Sequence, residues 1–90
     1  MQIEFDQDKR DKALIERGLD FGRATEIFAG VHVTAADNRK DYGEQRFITV
    51  GLLDSRLVVM VWTPRGEVRR IISLRKANER EIKKFARILG

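Results

Sequence analysis

Three clusters of bases in this chain have the residue types for anion chemistry: Arg39-Lys40-Asp41-Tyr42-Gly43-Glu44-Gln45-Arg46, the single Arg65, and Arg69-Arg70-Ile71-Ile72-Ser73-Leu74-Arg75-Lys76. Guanidinium groups stay charged at any accessible pH and present planar N–H donors that fit the oxygens of a phosphate. The bases are unevenly placed. From Arg65 to Gly90 there are nine against three acids, whereas the first 64 residues hold nine against eleven. With a pI near 9.9, this asymmetry points the C-terminal third towards a polyanion, which for a small protein most often means nucleic acid. The plainer alternative is that these Lys and Arg side chains only solubilise a helix and a sheet edge. With no Cys and only His32, disulfides, thiolate catalysis and a thiolate or His-based metal cluster are all outside the repertoire, so no metal or cofactor is expected. No window approaches 18 apolar residues and the first 20 are rich in charge, so a cytoplasmic protein with no membrane role is expected.

Ninety residues suffice for one domain, 1–90, with one core. The alternating Gln2-Ile3-Glu4-Phe5 predicts a short strand, and Asp6 is placed to cap a helix over Gln7–Arg17 that Gly18 ends. Phe21, Ala24, Ile27 and Phe28 recur at helical spacing, which predicts a second helix capped by Asp20 and closed by a left-handed Gly30. From Val31 the period becomes two, and after the polar stretch Asp37–Glu44 three strands follow. They are Arg46–Leu53, Arg56–Thr63 and Glu67–Leu74, joined by turns at Asp54-Ser55 and Thr63-Pro64-Arg65-Gly66 as an antiparallel meander. Leu57–Trp62 is apolar throughout, as in a strand covered on both faces, and Trp62 reads as core. Asn78 and Glu81 have capping-box spacing before the stripe Ile82, Phe85, Ala86 and Leu89. Arg80, Lys83, Lys84 and Arg87 then share the opposite face of this third helix, and the stripe is needed to cover the sheet rather than a membrane. The fold expected is α+β, a small antiparallel sheet with two N-terminal helices and one C-terminal helix packed on it. If strand order brings their ends together, Arg46 and Arg75 come within side-chain reach.

Several stretches resemble the BrnT toxins of bacterial type II toxin–antitoxin systems, within the wider RelE-like group of small ribonucleases. They are Phe5-Asp6 with Lys9, Gly18-Leu19-Asp20-Phe21, Asp41-Tyr42-Gly43-Glu44-Gln45-Arg46-Phe47-Ile48 with Gly51, and Arg70-Ile71-Ile72-Ser73-Leu74-Arg75-Lys76-Ala77-Asn78 with Arg80-Glu81. Together and in this order the last two are specific, and the resemblance spans nearly the whole chain. The family's usual Lys-His-Gly at the end of the first helix is Glu16-Arg17-Gly18 here, so no role of that His carries over.

The resemblance implies an RNA-cleaving growth and translation inhibitor. It also implies a cognate BrnA-like antitoxin with a DNA-binding domain, which forms a hetero-oligomer with the toxin and carries the pair to operator DNA. RNA brings its own nucleophile, the 2′-hydroxyl, so the enzyme must take that proton, neutralise the transition state and protonate the departing 5′-oxygen, and none of these steps requires a metal. Arg46, Arg70 and Arg75 are the candidates for charge stabilisation, and Lys76 and Tyr42 for proton transfer. Glu44 and His32 are the other residues the sequence offers as base or acid, but His32 on a strand reads as a structural or surface residue, and Ser73 lacks the His–Asp pair that would make it a nucleophile. Arg39, Lys40, Arg65, Arg69 and Arg80 are expected to contact RNA. Two other readings use the same charges: a nucleic-acid-binding module that turns nothing over, and a docking domain for an acidic protein partner.

Overall fold

The computed structural model describes residues 1–89, with Leu89 described by its backbone alone. The chain runs β1 (Gln2–Phe5), α1 (Gln7–Arg17), a 3-10 turn (Phe21–Arg23), α2 (Ala24–Ala29), β2 (His32–Ala36), β3 (Phe47–Leu53), β4 (Arg56–Arg65), β5 (Val68–Lys76) and α3 (Glu79–Leu89). The α+β class is as expected, but the sheet is mixed. Its order is β1-β5-β4-β3-β2, and β1 lies parallel to β5 while every other pair is antiparallel. No tight turn links β1 to β5, so nothing forces an antiparallel approach. The parallel register puts Ile3 and Phe5 beside the core, with Phe5 opposite Ile71.

The caps behave as their chemistry requires. Asp6 accepts from the Lys9 N–H at 3.1 Å, Asp20 from the Gly22 N–H at 2.8 Å, and Gly18 closes α1 at φ 69°. The expected second helix is split, because a 3-10 turn over Phe21–Arg23 precedes the six residues of α2. Gly30 is extended rather than left-handed, so its place reflects the entry into β2. Strand β4 also outlasts its expected end. Pro64 and Arg65 still pair with Arg69 and Val68, and the turn falls at Gly66 and Glu67. Pro64 is tolerated there because β3 has already ended opposite Trp62, so the missing N–H faces no strand. Asp54 and Ser55, both at positive φ, make the two-residue β3–β4 hairpin.

One sheet face carries α1 and α2. Ala13, Ala24, Ile27 and Phe28 bury Val58, Met60, Trp62, Ile71 and Leu74, and α2 comes so close to β3 that a Cβ on Gly51 would sit 2.9 Å from Ile27 Cγ2. Arg69 caps this face, its guanidinium 4.4 Å from the Phe28 ring and 4.5 Å from the Trp62 ring. On the opposite face α3 sits at the β3–β4 hairpin end, where Ile82, Phe85 and Ala86 line a cleft with Leu52 and Leu57. The side chain of Leu89, expected in the same stripe, lies outside the described residues.

Arg17 has a structural assignment. Only the first four residues of β5 pair with β1, and beyond them Arg17 Nη1 donates to the Leu74 carbonyl at 2.9 Å, capping that edge. Leu74 is fully buried. Replacing Arg17 with Ala orphans a buried acceptor and is expected to cost about 1–3 kcal/mol, read as a lower urea midpoint with an unchanged m-value.

Candidate functional site

Residues paired across a sheet point to the same side, so the register sorts the bases by face. Phe47, Trp62 and Ile71 form one row on the core face. Their neighbours Thr63 and Arg70, which pair with each other, therefore point to the other face, as does Arg75 opposite the buried Val59. Arg46 joins them. Its carbonyl accepts from the Asp37 N–H at 2.8 Å, which extends the β2–β3 ladder by one rung and turns the Arg46 side chain away from that of Phe47.

Strands β3 and β5 both run antiparallel to β4 and hence parallel to each other. The start of β3 therefore lies level with the start of β5, and Arg46 shares a rung with Arg70 instead of meeting Arg75. With β4 between them, Arg46 and Arg70 stand about 10 Å apart at Cα, whereas Arg75 is five residues further along the same face, roughly 15 Å from Arg70. Each of the three holds a carboxylate. Arg46 Nε is 3.1 Å from Glu44 Oε2, Arg70 Nη1 is 3.2 Å from Glu4 Oε2, and Arg75 donates to both Glu81 oxygens at 2.7 and 2.8 Å. All three stay partly accessible, with 27%, 31% and 45% of the side chain exposed.

The segment between β2 and β3 furnishes the rest. Tyr42 lies against Arg46, whose guanidinium carbon is 4.2 Å from the ring centre, and Lys40 Nζ approaches the same ring at 5.1 Å. The Tyr42 hydroxyl donates to Asp37 Oδ2 at 3.0 Å, and Arg39 donates to both oxygens of that carboxylate at 2.8 Å. Arg39 also lies near enough to Arg75 for its like charge to oppose weakly the effect of Glu81 on Arg75. Arg65 Nη2 is 3.6 Å from Glu44 Oε1 and adds to the Arg46 end.

Other bases fall elsewhere. Lys76 pairs with Val58 and so takes the opposite side from Arg75, at the end of β5. Arg69 is engaged with Phe28 and Trp62 on the core face, and Arg80 is exposed in the first turn of α3. His32 is exposed, with Nδ1 2.8 Å from the Gly30 carbonyl oxygen. The residue missed in the sequence is Asp37, which looks like the start of a polar loop. The available signal was the clustering of Asp37, Arg39 and Tyr42 within six positions directly before Arg46.

Helix α3 is tied to this face by charge. The capping box forms reciprocally, with Asn78 N–H donating to Glu81 and Glu81 N–H donating to Asn78. The Arg75 guanidinium holds the Glu81 carboxyl down to about 2, helped by the Asn78 N–H and opposed by partial burial. A depressed carboxyl contributes stability above its unfolded value of ~4.3 and loses it as pH falls through the folded value. Amide exchange in α3, corrected for intrinsic rates, is therefore expected to quicken between about pH 4 and 2. In Glu81→Gln this acid-dependent step should be absent. Because the pair is partly exposed, its contribution is about 1 kcal/mol at most.

Among the described residues no three His, Cys, Asp or Glu side chains come together as a metal site, and no helix is long and apolar enough to cross a membrane. Comparison with curated proteins finds no match. A family match covers residues 5–81, from the end of β1 into the first turn of α3, and so takes in the whole basic face. That family is described as "Ribonuclease toxin, BrnT, of type II toxin-antitoxin system". The chain belongs to this family of ribonuclease toxins.

Proposed function

We propose that this toxin is a metal-independent endoribonuclease that cuts RNA by attack of the 2′-hydroxyl on the adjacent phosphorus, and that it does so on the open part of the basic sheet face. The observation that carries the reading is the placement of Arg46 and Arg70 on one rung of one face, with Tyr42 against Arg46. A phosphate lying over Thr63 between them takes donors from both sides, and their attraction strengthens as the phosphorane gains charge. Arg75, further along the same face, holds a more distant phosphate of the strand. Glu44, Glu4 and Glu81 occupy the guanidinium groups until RNA replaces them. The 2′-oxygen bonds to phosphorus, the 5′-oxygen leaves and takes a proton, and the products are a 2′,3′-cyclic phosphate and a 5′-hydroxyl. Tyr42 lies nearest to the arginine pair, but its hydroxyl is committed to Asp37, so it supports Arg46 through its ring while the proton of the 2′-hydroxyl passes to solvent and that of the 5′-oxygen comes from it. Lys76, on the opposite side of the sheet at the end of β5, takes no part in this step, whereas Arg39, Lys40, Arg65 and Arg80 extend the path for the RNA backbone and Arg69 supports the face from behind.

Cleaved message accounts for inhibited translation and growth. The cognate antitoxin neutralises the toxin by covering the same arginines, in a BrnA-like complex that reaches operator DNA through the antitoxin. The test is incubation of the chain, purified free of partner, with RNA in excess EDTA, followed by analysis of the ends. Cyclic phosphate and 5′-hydroxyl termini are expected. Intact RNA bound in a salt-dependent manner would favour a binding module, and 3′-hydroxyl with 5′-phosphate termini would contradict the 2′-hydroxyl route.

A further inference from the structure

The carboxylate of Asp37 is fully buried at the rim of an otherwise exposed, basic surface. All its contacts run towards the face described above. It accepts two bonds from the Arg39 guanidinium at 2.8 Å, one from the Arg39 N–H at 3.3 Å and one from the Tyr42 hydroxyl at 3.0 Å. Its own backbone N–H meets the Arg46 carbonyl at 2.8 Å. Both ends of the Tyr42–Arg46 stack are therefore fixed by one residue: the ring through its hydroxyl, and the backbone of Arg46 through the added rung of the ladder.

We infer that Asp37 is the positioning residue of the site, holding the Tyr42 ring where it fixes the Arg46 guanidinium and holding Arg39 beside it. Proton transfer to Asp37 is not part of this role, because Arg39 keeps its carboxyl far below the usual carboxylate range, which makes it a poor base and a durable anion. A buried anion at this point also keeps two like charges, Arg39 and Arg46, on one short segment. Glu44 answers the charge of Arg46 at one end of the segment, and Asp37 answers that of Arg39 at the other. The role assigned to the Tyr42 hydroxyl follows: it is an anchor, and its ring is the working surface.

The consequence for catalysis rests on the ribonuclease reading, but the positioning itself does not, and the experiment separates them. The Nε–H resonance of Arg46 in the intact protein reports its place over the Tyr42 ring through the ring current. Asp37→Asn keeps the shape but loses the charge and one acceptor, while Tyr42→Phe removes only the hydroxyl. Both are expected to move that resonance towards its value in a free arginine, with the amide spectrum of the sheet retained. In RNA cleavage both should lower kcat by up to about 10²-fold, the scale of a small misplacement of catalytic groups, with a smaller change in KM. Asp37→Asn/Tyr42→Phe should be no worse than the poorer single variant. An unmoved Arg46 resonance in folded Asp37→Asn or Tyr42→Phe overturns the inference, as do fully multiplied kinetic losses in the double variant. Should Asp37→Asn fail to fold, Tyr42→Phe alone decides through the same resonance. If the wild-type chain cleaves no RNA while the resonance moves as expected, the positioning stands and the ribonuclease mechanism falls.

Discussion

Arg46→Ala is expected to slow RNA cleavage by about 10²–10³-fold, the loss typical of one preorganised donor to a developing oxyanion. Most of the loss should appear in kcat, because the guanidinium attracts the transition state more than the ground-state phosphate. Arg46 is only 27% exposed and lies against Tyr42 on one side and Glu44 on another, so in the proposed mechanism it would meet the phosphate from a set position, with less ordering left to do on binding. Arg46→Lys keeps the charge but loses the planar fork, and it should recover only part of the rate. Single-turnover cleavage of a short RNA measures both. An Arg46→Ala protein that cuts as fast as the parent removes this residue from the mechanism.

Trp62→Ala is expected to cost about 3–5 kcal/mol, against a total stability of ~5–13 kcal/mol for a chain of this length. Trp62 joins the two halves of the core face. It stacks on Phe47 at 4.9 Å, meets Phe28 edge-on at 5.5 Å, lies under Arg69 and donates its indole N–H to the buried Thr49 hydroxyl at 2.8 Å. Truncation opens a cavity, removes the support of Arg69 and takes one hydrogen bond from Thr49, which keeps its contact with Thr34 at 2.8 Å. The variant should be largely unfolded at 37 °C or melt far below the parent, as followed by circular dichroism. A shift of only a few degrees would show that the aromatic cluster is not central to the core. Since Trp62 sits on the row below Arg46 and Arg70, its loss should also disorder the site at temperatures where the chain remains folded.

The elements were legible where local chemistry decides them. Asp6, Gly18, Asp54-Ser55 and the Asn78–Glu81 box each satisfy or bend the backbone within a few residues, and each does in the structure what its type predicts. The parallel β1 was not legible, because its direction is set by a pairing with β5 from the far end of the chain. The split of the second helix and the extended Gly30 were not legible either, because a 3-10 turn running into a short α-helix carries nearly the same apolar spacing as one continuous helix. At the site, the arginines could be picked out by type but not sorted. Whether Arg69 or Arg70 faces the core depends on a bulge opposite Val61 and Trp62, which shifts the alternation of β5. Asp37 escaped because its burial comes from the segment folding around it.

The central claim is that Arg46 and Arg70 act on one phosphate. Cleavage rates of Arg46→Ala, Arg70→Ala and the double variant, measured under single-turnover conditions in EDTA, test it most directly. Two donors to the same transition state should be coupled, so the double variant is predicted to lose clearly less than the product of the two single losses. Losses that multiply in full, or an Arg70→Ala protein with unchanged rate, would contradict the shared clamp.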